Sequence, residues 1–273
     1  MDKRAIGVFD SGLGGLTAVK ELARLLPSES IVYFGDTGRV PYGTKSNETI
    51  LRYTKGDIEF LKTFDLKAII VACGTASTIA LPQLDGFCEV PMFGVSAPAA
   101  RAAKKATKNG KIGVIGTPGT IASGGYEKLL LGLDPKLETV SAACPLFVPL
   151  AEEGWQDHEI AYLAAKEYLA PICAAGVDTL ILGCTHYPLL SGVIRKVMGD
   201  SVTLINPGAE AAKELRDWLG YQGLLADEGK DGEVRFFASD CVDSFVTLGS
   251  RFLERPLTGC VERVDIEKYT PRG

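Results

Sequence analysis

The sequence is short of histidine, of positive charge and of long apolar runs, and each shortage argues against a class of protein. Only two histidines occur among the 273 residues, which argues against a metal centre with several histidine ligands. The 29 basic residues are outnumbered by 34 acidic ones, so the net charge is −5 and no excess of positive charge is left for binding nucleic acid. No apolar run reaches the roughly 18 residues of a membrane-spanning helix, so we expect no contact with a membrane.

Disulfide spacing and a secretory signal are also missing. The seven cysteines are an odd number, and no two of them have Cys-x-x-Cys spacing, which fits reduced thiols better than a disulfide framework. Residues 1–4 lead into a strand-like stretch without the apolar segment of a signal peptide. We therefore expect a cytoplasmic protein.

What the sequence does contain is a regular alternation of short apolar runs and helical stretches. The chain is 46% apolar and 23% charged, enough to bury a core. The alternation predicts an α/β fold with mainly parallel sheets covered by helices on both faces. The predicted strands are Ile6–Phe9, Ile31–Phe34, Ala68–Ala72, Pro91–Val95, Ile112–Ile115, a stretch near Val140, Thr179–Leu182, Val202–Ile205 and Val234–Phe237. The predicted helices include Leu16–Leu26, Asn47–Thr63, Ala211–Leu219 and Val242–Leu253.

The chain also repeats itself. Cys73 and Cys184 lie 111 residues apart, and each follows a predicted strand and precedes a polar loop. The strands Ile6–Phe9 and Ile112–Ile115 have the same glycine and valine at corresponding positions. We therefore predict two similar, doubly wound α/β domains related by a pseudo-twofold axis, one made of residues 1–97 and 207–273 and the other of residues 98–206, which meet along a cleft.

The residues that could take part in catalysis or ligand binding follow the predicted strands, where ligands bind in open α/β sheets. The segment Gly12–Gly15 lacks the third glycine of a dinucleotide fingerprint, because Thr17 stands there. We interpret it as a tight turn whose backbone N–H groups hold a carboxylate or another small anion. The other residues at strand ends are Asp10, Ser11, Pro41, Tyr42, Gly43, Cys73, Gly74, Thr75, Thr117, Cys184, Thr185 and His186.

Two thiols, one from each half of a pseudo-symmetric pocket, suit a particular reaction. A thiolate removes a proton from one face of a carbon, and a thiol returns a proton to the other face. We expect the start of the following helix to lower the pKa of each cysteine, and Asp10 and His186 to tune one thiol each. The remaining cysteines are interpreted as small buried hydrophobes: Cys88, Cys144, Cys173, Cys241 and Cys260. Two alternatives remain. One is a metal protein whose site uses two cysteines and one histidine, and the other is a small-acid binding protein whose cysteines are structural.

Five separated segments, in order along the chain, resemble the glutamate racemase family. They are Ile6–Gly15, Tyr33–Thr37 with Arg39–Thr44, Val71–Ser77, Phe147–Leu150 with Glu152–Gly154, and Leu182–His186. The resemblance implies interconversion of L- and D-glutamate without a cofactor or metal, which supplies D-glutamate for peptidoglycan, and an active site between two α/β domains. Family members are often dimers, so a homodimer is expected. An aspartate racemase or a related amino-acid racemase with the same two-thiol chemistry is the alternative.

The resemblance also implies roles for individual residues. Cys73 and Cys184 correspond to the catalytic bases, Cys73 acting on D-glutamate and Cys184 on L-glutamate. Their assistants are Asp10, His186 and Glu152. Substrate contacts through hydroxyl and backbone N–H groups are implied for Asp10, Ser11, Tyr42, Gly43, Thr75, Thr117 and Thr185. Pro41 and Gly74 are also expected among the substrate-binding residues. Gly74 departs from the family, which usually has asparagine there, and we expect a water or a neighbouring side chain to replace that amide.

Overall fold

The computed structural model describes residues 2–227, 229–257 and 261–271, and its strands form two parallel sheets. The six-stranded sheet has the order β10-β9-β2-β1-β3-β4, and the four-stranded sheet has the order β6-β5-β7-β8. The strands are β1 (Ala5–Asp10), β2 (Ile31–Gly35), β3 (Leu66–Val71), β4 (Met92–Gly94), β5 (Lys111–Gly116), β6 (Glu138–Ala143), β7 (Thr179–Leu182), β8 (Thr203–Ile205), β9 (Val234–Ala238) and β10 (Val261–Arg263).

Helices follow most strands and cover the sheets, as the alternating pattern predicts. They are α1 (Leu16–Leu25), α2 (Asn47–Leu61), α3 (Gly74–Ile79), α4 (Ser96–Ala106), α5 (Pro118–Ala122), α6 (Gly125–Leu133), α7 (Phe147–Glu152), α8 (Glu159–Ala174), α9 (Ser191–Met198), α10 (Pro207–Gln222) and α11 (Val242–Leu253). The apolar strands β2, β3 and β7 are buried along their whole length, which is expected of parallel strands that have helices on both faces. The α/β class predicted from the sequence is confirmed.

The internal repeat is visible in the strand order. The strands β2-β1-β3-β4 of the larger sheet and β6-β5-β7-β8 of the smaller one have the same sequence of neighbours. Cys73 follows β3 and Cys184 follows β7, so the two cysteines occupy equivalent positions in the two sheets. This equivalence agrees with the offset of the two motifs along the chain.

The segment after residue 206 returns to the larger sheet. Strands β9 and β10 extend that sheet beyond β2, and α10 and α11 both pack against α1. Strands β9 and β10 thus share one sheet with β1–β4, while the predicted domains, with boundaries at 97/98 and 206/207, stay predictions. No helix in the part of the chain that the structure describes is long and apolar enough to span a membrane.

Some boundaries and elements differ from the sequence prediction. Helix α10 begins at Pro207 rather than Ala211, because the side chain of Asn206 accepts hydrogen bonds from the first backbone N–H groups and proline suits the first helical position. Strand β10, a three-residue stretch with two charged members, was not predicted, because it has neither apolar length nor alternation. It pairs with β9 at the outer edge of the sheet.

Candidate active site

The predicted strand-end residues come together around one cavity of about 40 Å³, between the carboxyl ends of the two sheets. Both sheets contribute to its wall, since β1–β3 precede one group of lining residues and β5 and β7 precede the other. The predicted residues that line it are Ser11, Pro41, Tyr42, Gly43, Cys73, Gly74, Thr75, Thr117, Cys184, Thr185 and His186. Val40, Val148 and Gly183 also line it and were not predicted.

Cys73 is held at the start of α3 by hydrogen bonds to its sulfur. The backbone N–H of Ala76 donates to Sγ at 3.5 Å, and the thiol donates to Oγ of Ser11 at 3.4 Å. Burial, and then the negative charge of Asp10, raise the pKa of Cys73 to about 12. The expectation that the start of the helix lowers this pKa is therefore wrong: α3 has only six residues, and the loss of solvation outweighs the stabilisation from its N–H groups.

Cys184 lies in a different environment. Its Sγ is 3.8 Å from Nδ1 of His186, and Nε2 of the same ring is 3.1 Å from Oε1 of Glu152. Burial by itself lowers the pKa of His186, but the hydrogen bonds with Cys184 and Glu152 outweigh it and raise the pKa to about 10. At neutral pH the ring is then an imidazolium that donates to the sulfur on one side and to the carboxylate on the other. Cys184, His186 and Glu152 thus form one chain of contacts.

Asp10 lies beneath the cavity, and the glycine-rich turn closes around it. Its carboxylate accepts from the backbone N–H of Gly12 at 3.1 Å, and Oγ1 of Thr185 lies 3.5 Å from it. Burial raises the pKa of Asp10, while the charge of His186 and the N–H groups of the turn oppose that shift. The turn was expected to hold an anion. The carboxylate that it holds is the chain's own Asp10.

Three threonine hydroxyls form a closed ring across the two sheets. Oγ1 of Thr75 is 3.0 Å from that of Thr117 and 3.1 Å from that of Thr120, and the last two are 3.0 Å apart. Thr117 also caps α5, because its hydroxyl accepts from the N–H of Thr120 at 3.2 Å. Thr120 was not predicted, although its place three residues after a capping threonine on a short helix was the available signal.

Tyr42 lines the cavity, but its hydroxyl group is hydrogen-bonded to two aspartates. Its Oη lies 2.5 Å from Asp36 and 2.7 Å from Asp57, and the ring is completely buried. The hydroxyl is therefore taken up by the two aspartates, and a substrate contact at Tyr42, which the resemblance implied, stays a prediction. Gly43 packs so closely on the second sheet that a Cβ atom there would lie 2.6 Å from Oγ1 of Thr117.

Gly74 packs against the backbone that follows β7 of the smaller sheet. A Cβ atom at this position would collide with the carbonyl oxygen of Gly183, which directly precedes Cys184. The space that a side chain would need is filled by this carbonyl group. The carbonyl oxygen accepts hydrogen bonds and does not donate them, so it cannot replace the N–H donor of the family's asparagine side chain. The expected replacement of that donor by a water or a neighbouring side chain stays a prediction.

The other described cysteines differ in their exposure to solvent. Cys144 is buried and Cys88 is half-buried, but Cys173 and Cys241 are exposed, so their interpretation as buried hydrophobes is wrong. Both lie outside the apolar strands, on or next to surface helices. Cys260 lies outside the described residues. Among residues 2–227, 229–257 and 261–271, no group of three or more His, Cys, Asp or Glu side chains is arranged to hold a metal ion.

Comparisons with known proteins agree with this geometry. Residues 6–215 match the Asp/Glu/hydantoin racemase family. A glutamate racemase from Geobacter metallireducens is 48% identical over 98% of this chain and 98% of its own length. The crystal structure of a glutamate racemase isoform from Bacillus anthracis is 45% identical, covers 97% of this chain and 98% of that one, and superposes with a TM-score of 0.93.

A second solved structure is described with a ligand. The glutamate racemase from Francisella tularensis, in complex with D-glutamate, is 39% identical, covers 98% of this chain and 100% of that one, and has a TM-score of 0.91. Family match, identity and fold all extend over nearly the whole chain. The chain therefore belongs to the Asp/Glu/hydantoin racemase family, among its glutamate racemases.

Proposed function

We propose that this protein interconverts L- and D-glutamate without a cofactor, with Cys73 and Cys184 as its two acid/base groups. The observation that carries the proposal is that the two thiols follow equivalent strands of the two sheets and line the same cavity. A carbon held between them has one sulfur on each face. The relatives named glutamate racemase and the D-glutamate complex of one of them support glutamate as the substrate.

The reaction needs one thiolate and one thiol at the start of each turnover. In the direction from L- to D-glutamate, the Cys184 thiolate takes the α-proton and the electron pair stays on the carbon. The Cys73 thiol then gives its proton to the opposite face and becomes the thiolate. The reverse direction exchanges the two roles. The charged ring of His186 beside Cys184 and the thiol form of Cys73 at neutral pH support this starting state.

The α-proton of an amino acid is weakly acidic, so the site must stabilise the negative charge that develops. Hydroxyl and backbone N–H groups around the cavity can bind the two carboxylates of glutamate without a basic side chain. The groups proposed for this are on Ser11, Gly43, Thr75, Thr117 and Thr185. The buried walls of the cavity exclude water, which strengthens each of these contacts.

The proposed biological role is the supply of D-glutamate for peptidoglycan in the cytoplasm. The unpaired thiols of Cys73 and Cys184 suit a reducing compartment. We also propose a homodimer. The exposed apolar side chains of Ile160 and Leu163, which are 45% and 56% exposed and three residues apart on α8, support a surface for association. Light scattering coupled to size-exclusion chromatography tests the dimer, and a monomer mass at micromolar concentration would contradict it.

The decisive experiment is racemisation of a panel of amino acids, followed by circular dichroism. We expect activity with glutamate and none with aspartate, and in deuterated water we expect deuterium at the α-carbon of the product. Cys73→Ala and Cys184→Ala should each abolish racemisation in both directions, because each removes either the base or the acid. Cys173→Ala, at an exposed cysteine away from the cavity, is the matched control and should keep full activity. Full turnover in either active-site variant would overturn the two-base scheme.

A further inference from the structure

A buried cluster of charged side chains lies directly behind the Tyr42–Gly43 turn. The guanidinium of Arg39 donates from Nε to Asp36 at 2.7 Å and from Nη2 to Asp57 at 2.9 Å. Tyr42 Oη lies 2.5 Å from Oδ2 of Asp36 and 2.7 Å from Oδ2 of Asp57. The side chains of both aspartates are 0% exposed and that of Arg39 is 8% exposed.

These contacts require one more proton than ionised side chains supply. A tyrosine hydroxyl carries a single hydrogen, so it can donate to only one of the two carboxyl oxygens beside it. If both aspartates were ionised, the other short contact would join two oxygen lone pairs without a hydrogen between them. The cluster would also hold two negative charges against one positive charge out of water, which is costly. A proton on one carboxyl group removes both problems.

The other hydrogen bonds identify which aspartate carries the proton. Asp36 accepts from Arg39 and also from Ser239, whose hydroxyl donates to Oδ1 at 2.9 Å. Among the described residues, Asp57 accepts from Arg39 at Oδ1, and the partner of its Oδ2 is the tyrosine oxygen. Burial and the negative charge of Asp36 raise the pKa of Asp57 well above its usual value, against the opposing effect of Arg39.

Other ionisable groups near the cluster do not reverse this assignment. The ring of Tyr53 lies 4.2 Å from the Arg39 guanidinium and brings no carboxylate to the cluster. Glu267 lies 3.6 Å from Arg39 but its side chain is 69% exposed. The negative charge of Asp10 acts on Asp57 in the same direction as that of Asp36.

We propose that Asp57 is a neutral carboxylic acid that donates its proton from Oδ2 to Tyr42 Oη, while the tyrosine donates to the ionised Asp36, and that Asp57 thereby positions the Tyr42–Gly43 turn for substrate binding. The turn lines the cavity, and Gly43 has no space toward Thr117 and Gly119, so a displaced Tyr42 moves the wall of the site. The effect on substrate binding rests on the proposed racemase activity. The proposed protonation of Asp57 does not depend on that activity.

The test compares Asp57→Asn with Asp57→Ala and Asp36→Asn. An asparagine at position 57 is neutral, keeps an N–H donor for Tyr42 and keeps an oxygen for Arg39. We therefore expect KM for glutamate and kcat within about twofold of the parent enzyme. Asp57→Ala removes the donor, and Asp36→Asn removes the required negative charge. Each should raise KM by about tenfold or more with a smaller change in kcat. A tenfold rise in KM for Asp57→Asn, as large as that for Asp57→Ala, would overturn the proposal.

Infrared spectroscopy tests the proton independently of activity. The parent protein at neutral pH should have the C=O stretching band of a protonated carboxyl group, which a carboxylate lacks, and Asp57→Asn should lose it. Tyr42→Phe should retain the band at a shifted position, because the acid loses its acceptor. A spectrum that Asp57→Asn leaves unchanged would overturn the proposal even if the enzyme is active. Loss of the band in a protein that does not act on glutamate would support the proposed proton and contradict only the function.

Discussion

At the scale of the residue, the two thiols differ because of what surrounds them. Cys73 is buried beside a carboxylate, and its hydrogen-bond partners are a serine hydroxyl and one backbone N–H group. Cys184 lies beside an imidazolium that is itself held by Glu152. Equivalent positions in the two sheets therefore carry unequal chemistry, and His186 is the residue that creates the difference.

His186 should stay charged well above the pH at which an ordinary histidine loses its proton. Its pKa is raised from 6.5 to about 10, so the contribution of its charge to folding stability is fully present below about pH 6.5 and falls as the pH rises toward 10. With only two histidines in the chain, NMR can follow each ring. We expect the His186 resonance to remain at its charged position at pH 8.

Glu152→Gln is the matched variant for this titration. It removes a negative charge but keeps an oxygen within reach of Nε2, so the titration midpoint of His186 should fall toward the ordinary range. A neutral His186 at pH 7 in the parent protein would contradict the proposed starting state of Cys184.

Gly74 should not tolerate even a methyl group. The Cβ atom of Gly74→Ala would collide with the carbonyl of Gly183 and push apart the strand ends that carry Cys73 and Cys184. We expect kcat to fall by about 100-fold, since a displacement near 1 Å has that effect on reacting groups. Gly132→Ala, where nothing lies within 4 Å of an added Cβ, is the control. Unchanged kcat in Gly74→Ala would mean that the two sheets can separate at this point without cost to the reaction.

Most of the residues lining the cavity were predicted because they follow strands, and the ends of strands can be recognised in a sequence. Asp36 and Asp57 were not predicted, because their importance depends on one arginine and one tyrosine brought together by folding. Asp57 lies on the buried face of α2, between Thr54 and Ile58. A carboxylate among apolar positions was a signal, but nothing in the sequence named its partners.

At the scale of the element, helix α11 connects the larger sheet to the Cys184 side of the site. The ring of Phe252 meets His186 edge to face, with 5.2 Å between centroids. Arg251 donates from Nη1 to the backbone oxygen of Glu152 at 2.5 Å. The helix thus fixes both members of the pair beside Cys184, although it comes from the far end of the chain. Its bounds, Val242–Leu253, were predicted from the sequence, but this contact was not, because nothing local encodes it.

Arg251→Ala should weaken catalysis more than stability. The loss of one hydrogen bond to an exposed arginine costs about 1 kcal/mol of unfolding free energy, whereas a Glu152 that is no longer held in place leaves His186 poorly oriented. We expect kcat to fall by about tenfold with a small change in melting temperature. Arg255→Ala, at another exposed arginine just beyond the helix, should change neither quantity. Equal losses of stability and kcat in both variants would contradict this role of α11.

At the scale of the whole molecule, the cavity is a narrow gap whose walls come from both sheets. The two cysteines that line it are buried, so we expect substrate to reach them when the sheets move apart. The pairing of the two cysteine motifs was predictable from their offset along the chain, but how closely the sheets approach was not, because it depends on contacts such as that between Gly74 and Gly183.

This closure predicts the order in which the cysteines react with iodoacetamide. Cys173 is exposed and should be alkylated first, while Cys73 and Cys184 are buried and should react only through the opened form. Mass spectrometry of tryptic peptides follows each site, and added glutamate should slow alkylation of Cys73 and Cys184 without affecting Cys173. Equal rates at all three sites would contradict the closed state.

The two sheets share one strand order, but thermodynamics limits how the unequal surroundings of their thiols can affect an enzyme whose substrate and product are mirror images. Enantiomers have the same free energy in water, so the equilibrium constant is unity, and kcat/KM must be identical in the two directions whatever the enzyme does. Damage to one half of the molecule alone, such as the loss of Glu152 behind His186, must therefore slow L- and D-glutamate by the same factor in kcat/KM. The unequal surroundings of the two thiols can appear only in the separate values of kcat and KM, where they set which enantiomer saturates the enzyme first.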